Sequence, residues 1–433
     1  MIIDFTLKNF RSFRDGHTLS MNVEKKGTTH FNNFSEVAHG RLSVLRTAGI
    51  YGANAAGKSN VLIALNALRW IIVESGDLKE GDKIPPYEPY RLNERNKSEP
   101  VEFEIEFVDL SGARYSYFVS FTNSRIVEER LFTFGSRLRS KIFERGSHDT
   151  WETIEFGGNY KGGIKKLSFF PNQSYLSKAG NNAAAPDAIR EIYRYFRSFS
   201  FVGHNSAPRI PSYFNDHRRH SRINKLLPLF DTGVEKVSLE ENNNPPFIPE
   251  YFPEEVKKKI IEFSSQKFVF WHKSDDGDLV QFEVDDESDG TQQVFNILPL
   301  IVESLRRGGV LIIDEIENSF HPHLVQTILR LYNDRLVNRR NAQLIFTTHD
   351  TSSLSENIFR RDQLWFVEKR NGASSLYSLD EFDKRKVTPD SPFSLWYMDG
   401  RFGAVPQIKY ADIAAAINED ISDEKSDQSD AEK

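Results

Sequence analysis

The chain has 433 residues, and its 56 Lys and Arg against 62 Asp and Glu give a formal net charge of −6, which argues against bulk electrostatic binding of nucleic acid but leaves a local basic groove open. A hydrophobic fraction of 39% with 34 Phe excludes wholesale disorder, and zero Cys excludes a disulfide scaffold, a Cys-ligated zinc site, an iron–sulfur cluster and a thiol nucleophile. The most apolar run, Val61 to Val73, is broken by Asn66 and Arg69, and Asp4 and Lys8 stand where a signal peptide would be apolar, so a soluble cytoplasmic protein without membrane contact is expected.

The first expected strand is Met1 to Leu7. Ser43 to Tyr51 reads as a second, ending in a Gly-rich turn, and Leu62, Leu65, Leu68 and Ile72 predict a helix from Lys58 to about Glu74. Val101 to Val108 alternates apolar and acidic residues, the period of a half-buried strand. Tyr115–Phe121, Ile126–Phe134 and a hairpin over 141–156 extend it into an antiparallel meander. Helices are expected over 186–199 and 222–230, a loop over 242–249, and two strands within 267–284 around Asp275-Asp276-Gly277. Next come a helix over 291–306, a very apolar strand Val310 to Ile313, a helix over 322–338 and a buried strand Gln343 to Thr347. The last 23 residues hold eight acidic and two basic side chains and read as a partly disordered tail.

Gly52-Ala53-Asn54-Ala55-Ala56-Gly57-Lys58-Ser59 fits G-x-x-x-x-G-K-[ST] between an expected strand and an expected helix. Glycines let such a loop curl so that its N–H groups meet phosphate oxygens, with help from the helix N-terminus. Lys58 is then placed for the outer phosphates of a nucleoside triphosphate, and the Ser59 hydroxyl for magnesium. Asn60 follows directly. The strand Val310 to Ile313 delivers Asp314, a candidate magnesium ligand, and Glu315, placed to activate an attacking water. His349 follows the next apolar strand and is a candidate partner of the reacting phosphate. Ser288 and Gly290 precede a helix; they read either as an anion site or as ordinary capping.

These motifs carry a resemblance. IIDFTLKNFRSF at 2–13, GIYGANAAGKSN, ESDGTQQ, LIIDEIENSFHPHL and FTTHD look like the ABC-type ATPases related to SMC, Rad50 and OLD proteins. DQLWFVEK and GRFGAVP resemble a narrower bacterial branch common in anti-phage defence operons. The resemblance is strong at both ends and weak over 140–265. It implies an α/β fold: a P-loop ABC-type ATPase head with an antiparallel β lobe and an inserted mixed or helical lobe. The implied parts are 1–75, the first part of the head; 76–160, the β lobe; 161–265, the insertion; 266–410, the second part of the head; and 411–433, the acidic tail. The implied cofactors are ATP and Mg²⁺. Two heads would sandwich two nucleotides, with Ser288 and Gly290 of one chain facing the nucleotide on the phosphate loop of the other (Gly52, Asn54, Ala55, Ala56, Gly57, Lys58, Ser59 and Asn60). Glu315 and His349 would complete each site, and Asn318 would fall at the dimer seam.

One departure from that family is plain: no Gln precedes Gln173, so its customary glutamine after the first lobe strands is missing, and Tyr90 or Arg91 is the candidate for that neighbourhood. Pro, Gly and aromatics throughout 59–288 argue against a long coiled-coil arm and for a compact lobe that docks another protein. The chain after His349 is too short for an OLD-type nuclease. The resemblance therefore implies a separate effector, a Toprim-type nuclease, released by a phage protein trigger, with homodimers or larger homo-oligomers forming through the ATP sites. A DNA-repair ATPase acting directly on DNA is the alternative. The basic cluster Asp216 to Arg222 reads as a solvated loop or as a contact for phosphate or an acidic partner. The Phe-rich stretches 195–203 and 247–252 read as core.

Overall fold

In Val101–Val108 the apolar positions Val101, Phe103, Ile105 and Phe107 are fully buried and the acids between them are not, as the alternation requires. The computed structural model describes residues 1–23, 30–135, 138–203, 213–242, 257, 265–318, 320–388, 390–406 and 408–417. In it this strand, β6, belongs to a seven-stranded antiparallel sheet of order β10-β9-β8-β7-β6-β1-β2. Its other members are β1 (Ile2–Lys8), β2 (His17–Ser20), β7 (Arg114–Phe121), β8 (Ile126–Phe134), β9 (Arg139–Gly146) and β10 (Glu155–Phe156). Phe5 lies opposite Ile105, and Ile105 opposite Tyr117, so one face is continuously apolar.

A second sheet of six strands has the order β11-β15-β16-β5-β17-β18. These are β11 (Ser200–Val202), β15 (Val310–Ile313), β16 (Gln343–Thr347), β5 (Thr47–Tyr51), β17 (Leu364–Arg370) and β18 (Ala373–Ser378). All neighbours are parallel except the final hairpin. Every residue of β5, β15 and β16 is buried, which is why they lack the polar–apolar alternation of a one-sided sheet. Successive residues serve opposite faces. Val310 and Ile312 pack with helix α1 (Lys58–Val73), the antiparallel sheet and helix α2 (Asp187–Arg197), whereas Leu311 and Ile313 pack into a second core.

That second core is built on helix α4 (Asp289–Arg307) and helix α5 (Pro322–Asn333), with helix α3 (His217–Leu226) against them. A three-stranded antiparallel sheet, β12 (Val234–Glu241), β13 (Gln266–Lys273) and β14 (Leu279–Phe282), covers α4. Phe268 and Phe270 of β13 each set an aromatic ring 5.0 Å from Phe295 of α4.

Several expectations are corrected. The run 43–51 is two strands, β4 (Leu42–Leu45) and β5, because Arg46 turns inward between them and donates to Ser35 Oγ at 2.8 Å. Strand β4 pairs with β3 (Phe34–Val37) instead of entering the large sheet. The helix from Pro322 stops at Asn333, five residues early, because the buried Asn338 amide holds the chain in a turn through Tyr332 O and Ala342 O. The cluster at 216–222 is not a loop: Asp216 caps α3, accepting from the N–H groups of Arg218 and Arg219. The stretch 195–203 packs as core, with Tyr195 stacked on Phe107 at 5.3 Å. The loop read at 242–249 lies, apart from Asn242, outside the described residues, as does 247–252. Of the tail, 411–417 is helical and 418–433 lies outside them. No helix among the described residues is long and apolar enough to cross a membrane.

Candidate functional site

The loop from β5 to α1 takes its shape from residues that tolerate positive φ. Gly52 (φ 156), Ala55 (φ 59) and Gly57 (φ 111) all depart from the usual region. Space is as limiting as torsion: a Cβ on Gly52 would lie 2.4 Å from Val367 O, and one on Gly57 would lie 2.6 Å from both Ser12 Oγ and Ser374 Oγ. Those two serines brace the loop from outside, Ser374 donating to Ala56 O at 2.5 Å and Asn60 donating to Ser12 at 2.8 Å. The loop is thus held open on its inner side and locked on its outer side.

Lys58 opens α1 and is nearly buried. Its ammonium donates to Gly52 O at 2.9 Å and Ala53 O at 3.2 Å, and lies 3.3 Å from His349 Nδ1. Burial lowers its pKa to about 8, against the opposing pull of Glu315, Glu317 and Asp314. Burial, then the Lys58 charge, also lowers the His349 pKa, favouring a neutral imidazole. An ammonium donating to Nδ1 leaves the ring proton on Nε2, the nitrogen 3.7 Å from Glu315 Oε1.

The acids come from the end of β15. Asp314 Oδ1 accepts from Ser59 Oγ at 2.9 Å and from Thr347 Oγ1 at 2.6 Å. Thr347 Oγ1 in turn accepts from Glu315 N at 2.8 Å, so one threonine of β16 ties both acids down. Glu315 has φ 54, a left-handed conformation that a non-glycine residue keeps only when its surroundings enforce it. Two residues that sequence reasoning missed complete the arrangement. One is Thr347; the other is Glu317, whose Oε1 accepts from His349 N at 2.5 Å while its Oε2 is buried with no hydrogen-bond partner among the described residues. The alternation Glu315-Ile316-Glu317, with Ile316 fully buried, was the available signal.

Asn54, Ala55, Gly57, Lys58, Ser59, Asn60, Glu315 and His349 line one cavity of about 380 Å³. Gly52 and Ala56 belong to the same loop but do not line the cavity, and Asp314 reaches it through Ser59. Ser288 and Gly290 do not line it. Ser288 caps α4, its Oγ accepting from Thr291 N at 3.2 Å, and Gly290 lies in the first turn. Asn318 is exposed in the turn after β15. Tyr90 is buried, its N–H donating to Asn9 Oδ1 at 3.2 Å, while Arg91 is exposed.

The donors fit a magnesium–triphosphate pair. A hydroxyl and a carboxylate oxygen 2.9 Å apart are hard ligands of the kind Mg²⁺ takes one or two at a time beside phosphate oxygens. The positive φ of Gly52, Ala55 and Gly57 curls the backbone into the kind of nest whose N–H groups suit phosphate oxygens.

A family model described as "AAA domain, putative AbiEii toxin, Type IV TA system" matches residues 48–355. The chain belongs to this family. It is a P-loop ATPase domain by its loop, its Asp-Glu strand and its mixed α/β fold. No curated protein matches it. Among solved structures it is similar to an SMC head domain from Thermotoga maritima, at 15% identity over 87% of this chain and 98% of that one, with a TM-score of 0.37. It is also similar to an Smc head domain with a coiled coil and joint from Pyrococcus yayanosii, at 11% over 88% and 99% (TM-score 0.39). The recombination mediator RecF with ATPrS gives 12% over 87% and 98% (TM-score 0.34). Membership of the family rests on the matched residues and not on these superpositions.

Proposed function

We propose that this chain hydrolyses ATP as a nucleotide-dependent scaffold and sensor in bacterial anti-phage defence, within the cytoplasm. It holds a separate toxic effector, a Toprim-type nuclease, until a phage protein is sensed. The observation that carries the ATPase part is the meeting of Lys58, the Ser59–Asp314 pair, Glu315 and His349 around one cavity. The defence part is supported by the toxin–antitoxin description of the family and by the likeness of DQLWFVEK and GRFGAVP to AriA, the ATPase subunit of the PARIS system.

In this reading Lys58 and the loop N–H groups bind the phosphates, and Ser59 with Asp314 holds Mg²⁺. The metal, when bound, neutralises phosphate charge. Glu315 takes the proton of the attacking water, its direction fixed by the Thr347 bond to its N–H. His349 presents its Nε2 proton beside Glu315, and Glu317 holds the His349 backbone in place. Ser288 and Gly290 of a second chain close the site, making the homodimer, or a higher homo-oligomer, the active form. ATP then shifts the assembly by binding the closed form better than the open one.

A compact docking lobe suits this role better than a DNA-tethering arm. No helix described between Gly76 and Glu287 exceeds the 11 residues of α2. The test is native mass spectrometry of the chain with its neighbouring gene product, with and without ATP, beside Lys58→Ala. A nucleotide-sensitive complex, lost or locked in Lys58→Ala, supports the scaffold. A lone ATP-driven homodimer whose turnover rises with DNA would replace it with the DNA-repair reading.

A further inference from the structure

The arginines of α3 meet others far away in sequence. Arg218, Arg219 and Arg222 share a cavity of about 280 Å³ with Arg306 and Arg307, from the C-terminal end of α4. Asp216 and Glu303 complete its lining, so five cationic side chains face two anionic ones in a chain of net charge −6. The cavity shares no lining residue with the nucleotide site. It sits at the opposite end of α4 from Ser288, across 19 residues or about 28 Å of helix.

Part of the cluster is braced. Glu303 pairs with Arg307 and, at 3.8 Å, with Arg219, whose guanidinium lies 5.3 Å from the Tyr213 ring centroid. Another part is not. Tyr213 is 8% exposed, and its hydroxyl is buried with no hydrogen-bond partner among the described residues; the same holds for Arg222 Nη1. Burial raises the Tyr213 pKa, Glu303 adds to the rise, and Arg222, Arg219 and Arg306 oppose it. Buried donors left unpaired in this way are costly, and Arg222 is a lining residue, so a turn of its guanidinium toward an acceptor in the cavity would relieve that cost.

We propose that this cavity is a second phosphate-binding site, taking a phosphate group from a nucleic-acid backbone or from a free polyphosphate. A tetrahedral phosphate offers enough acceptor oxygens for the Arg218, Arg222 and Arg306 guanidiniums at once, and guanidinium forks match it in pairs. A carboxylate offers two. An acidic protein surface would also need an apolar anchor, and every residue lining the cavity is ionisable. The same lack of aromatic or amide side chains means that no base is read, so binding is independent of sequence.

The experiment is fluorescence anisotropy of a labelled mixed-sequence oligonucleotide on the full chain over a salt series, with tripolyphosphate and polyglutamate as competitors. The phosphate loop is common to parent and variants, so their difference reads the new site alone. Arg222→Ala with Arg306→Glu is expected to weaken binding at least tenfold and to lower the salt slope by about 2. Arg218→Ala, which removes one exposed lining guanidinium, is expected to weaken it about threefold at unchanged melting temperature. ATP turnover without oligonucleotide should stay at the parental rate in all variants, so failure here is distinct from failure of the ATPase reading. An oligonucleotide held far more tightly than tripolyphosphate assigns the site to a backbone; equal affinities assign it to free polyphosphate. Parental binding by both variants, or polyglutamate competing as well as tripolyphosphate, overturns the proposal.

Discussion

Two clusters of buried charge show what separates a staple from a site. In the antiparallel sheet Glu129 is fully buried, and its two oxygens accept from Tyr117 Oη, Ser174 Oγ, Leu176 N, Arg145 Nε and Tyr175 N. Each lone pair of consequence is used, and the carboxylate ties β8 to β9 and to the short helix Tyr175–Gly180. Around the phosphate loop the accounts do not close. Lys58 rests on backbone carbonyls, Glu317 has a buried oxygen with no partner among the described residues, and Glu315 is held in a left-handed conformation. A complete network rigidifies a fold, whereas an incomplete and strained one marks where chemistry is done.

The sharpest way to break the comparison is at the staple. Glu129→Ala leaves Arg145 unpaired where its side chain is 2% exposed, and should cost about 3–5 kcal/mol in chemical denaturation. The ATP affinity of the remaining folded protein should be unchanged. A cost below about 1 kcal/mol would show that the network is dispensable. At the site the expected pattern is reversed. Glu315→Gln should lower turnover by roughly 10²–10⁴-fold, the range for loss of a general base, while ATP binding and melting temperature hold.

Lys58 sharpens the contrast through pH. Its pKa is lowered to about 8 from 10.5, so the unfolded chain binds the extra proton between those values. Its contribution to stability therefore rises with pH from about 8 to 10.5, and below 8 its burial is a constant penalty. Lys58→Met should match or exceed the parent in stability near neutral pH and lack that alkaline rise, while losing ATP binding; thermal melts from pH 6 to 10.5 and ATP titration check this. Ser288 tests whether one residue serves as a staple or as part of a site. As a helix cap alone, Ser288→Ala costs about 1 kcal/mol and leaves turnover intact. If it closes a partner's site, turnover falls at least tenfold for that same small cost, and mixing with Lys58→Ala subunits restores part of it.

How far the sequence could be read follows the range of the forces involved. Val101–Val108 declares itself because its alternation is local, and Val310–Ile313 because both its faces are buried. The phosphate loop is legible because its conformation demands glycine at fixed spacing. Thr347 and Glu317 were missed because their roles arise only when β15 and β16 lie side by side. Strand β12 was missed because only Val234 and Val237 of its eight residues are buried. The break at Arg46 depends on Ser35 and Asn333, neither of which its neighbours announce. Arg306 joins Arg222 only through the packing of α3 on α4, so the sequence showed half of that cluster.

The central claim is that Glu315, fixed by Thr347 at the end of β15, activates water at a site that Lys58 and Ser59 build. It is tested most directly by steady-state, magnesium-dependent hydrolysis at saturating ATP, comparing Glu315→Gln with wild type under matched assembly conditions. A wild-type rate that falls at least 100-fold in the variant is predicted. Equal rates, or no magnesium-dependent turnover by wild type in any assembly state, would contradict it.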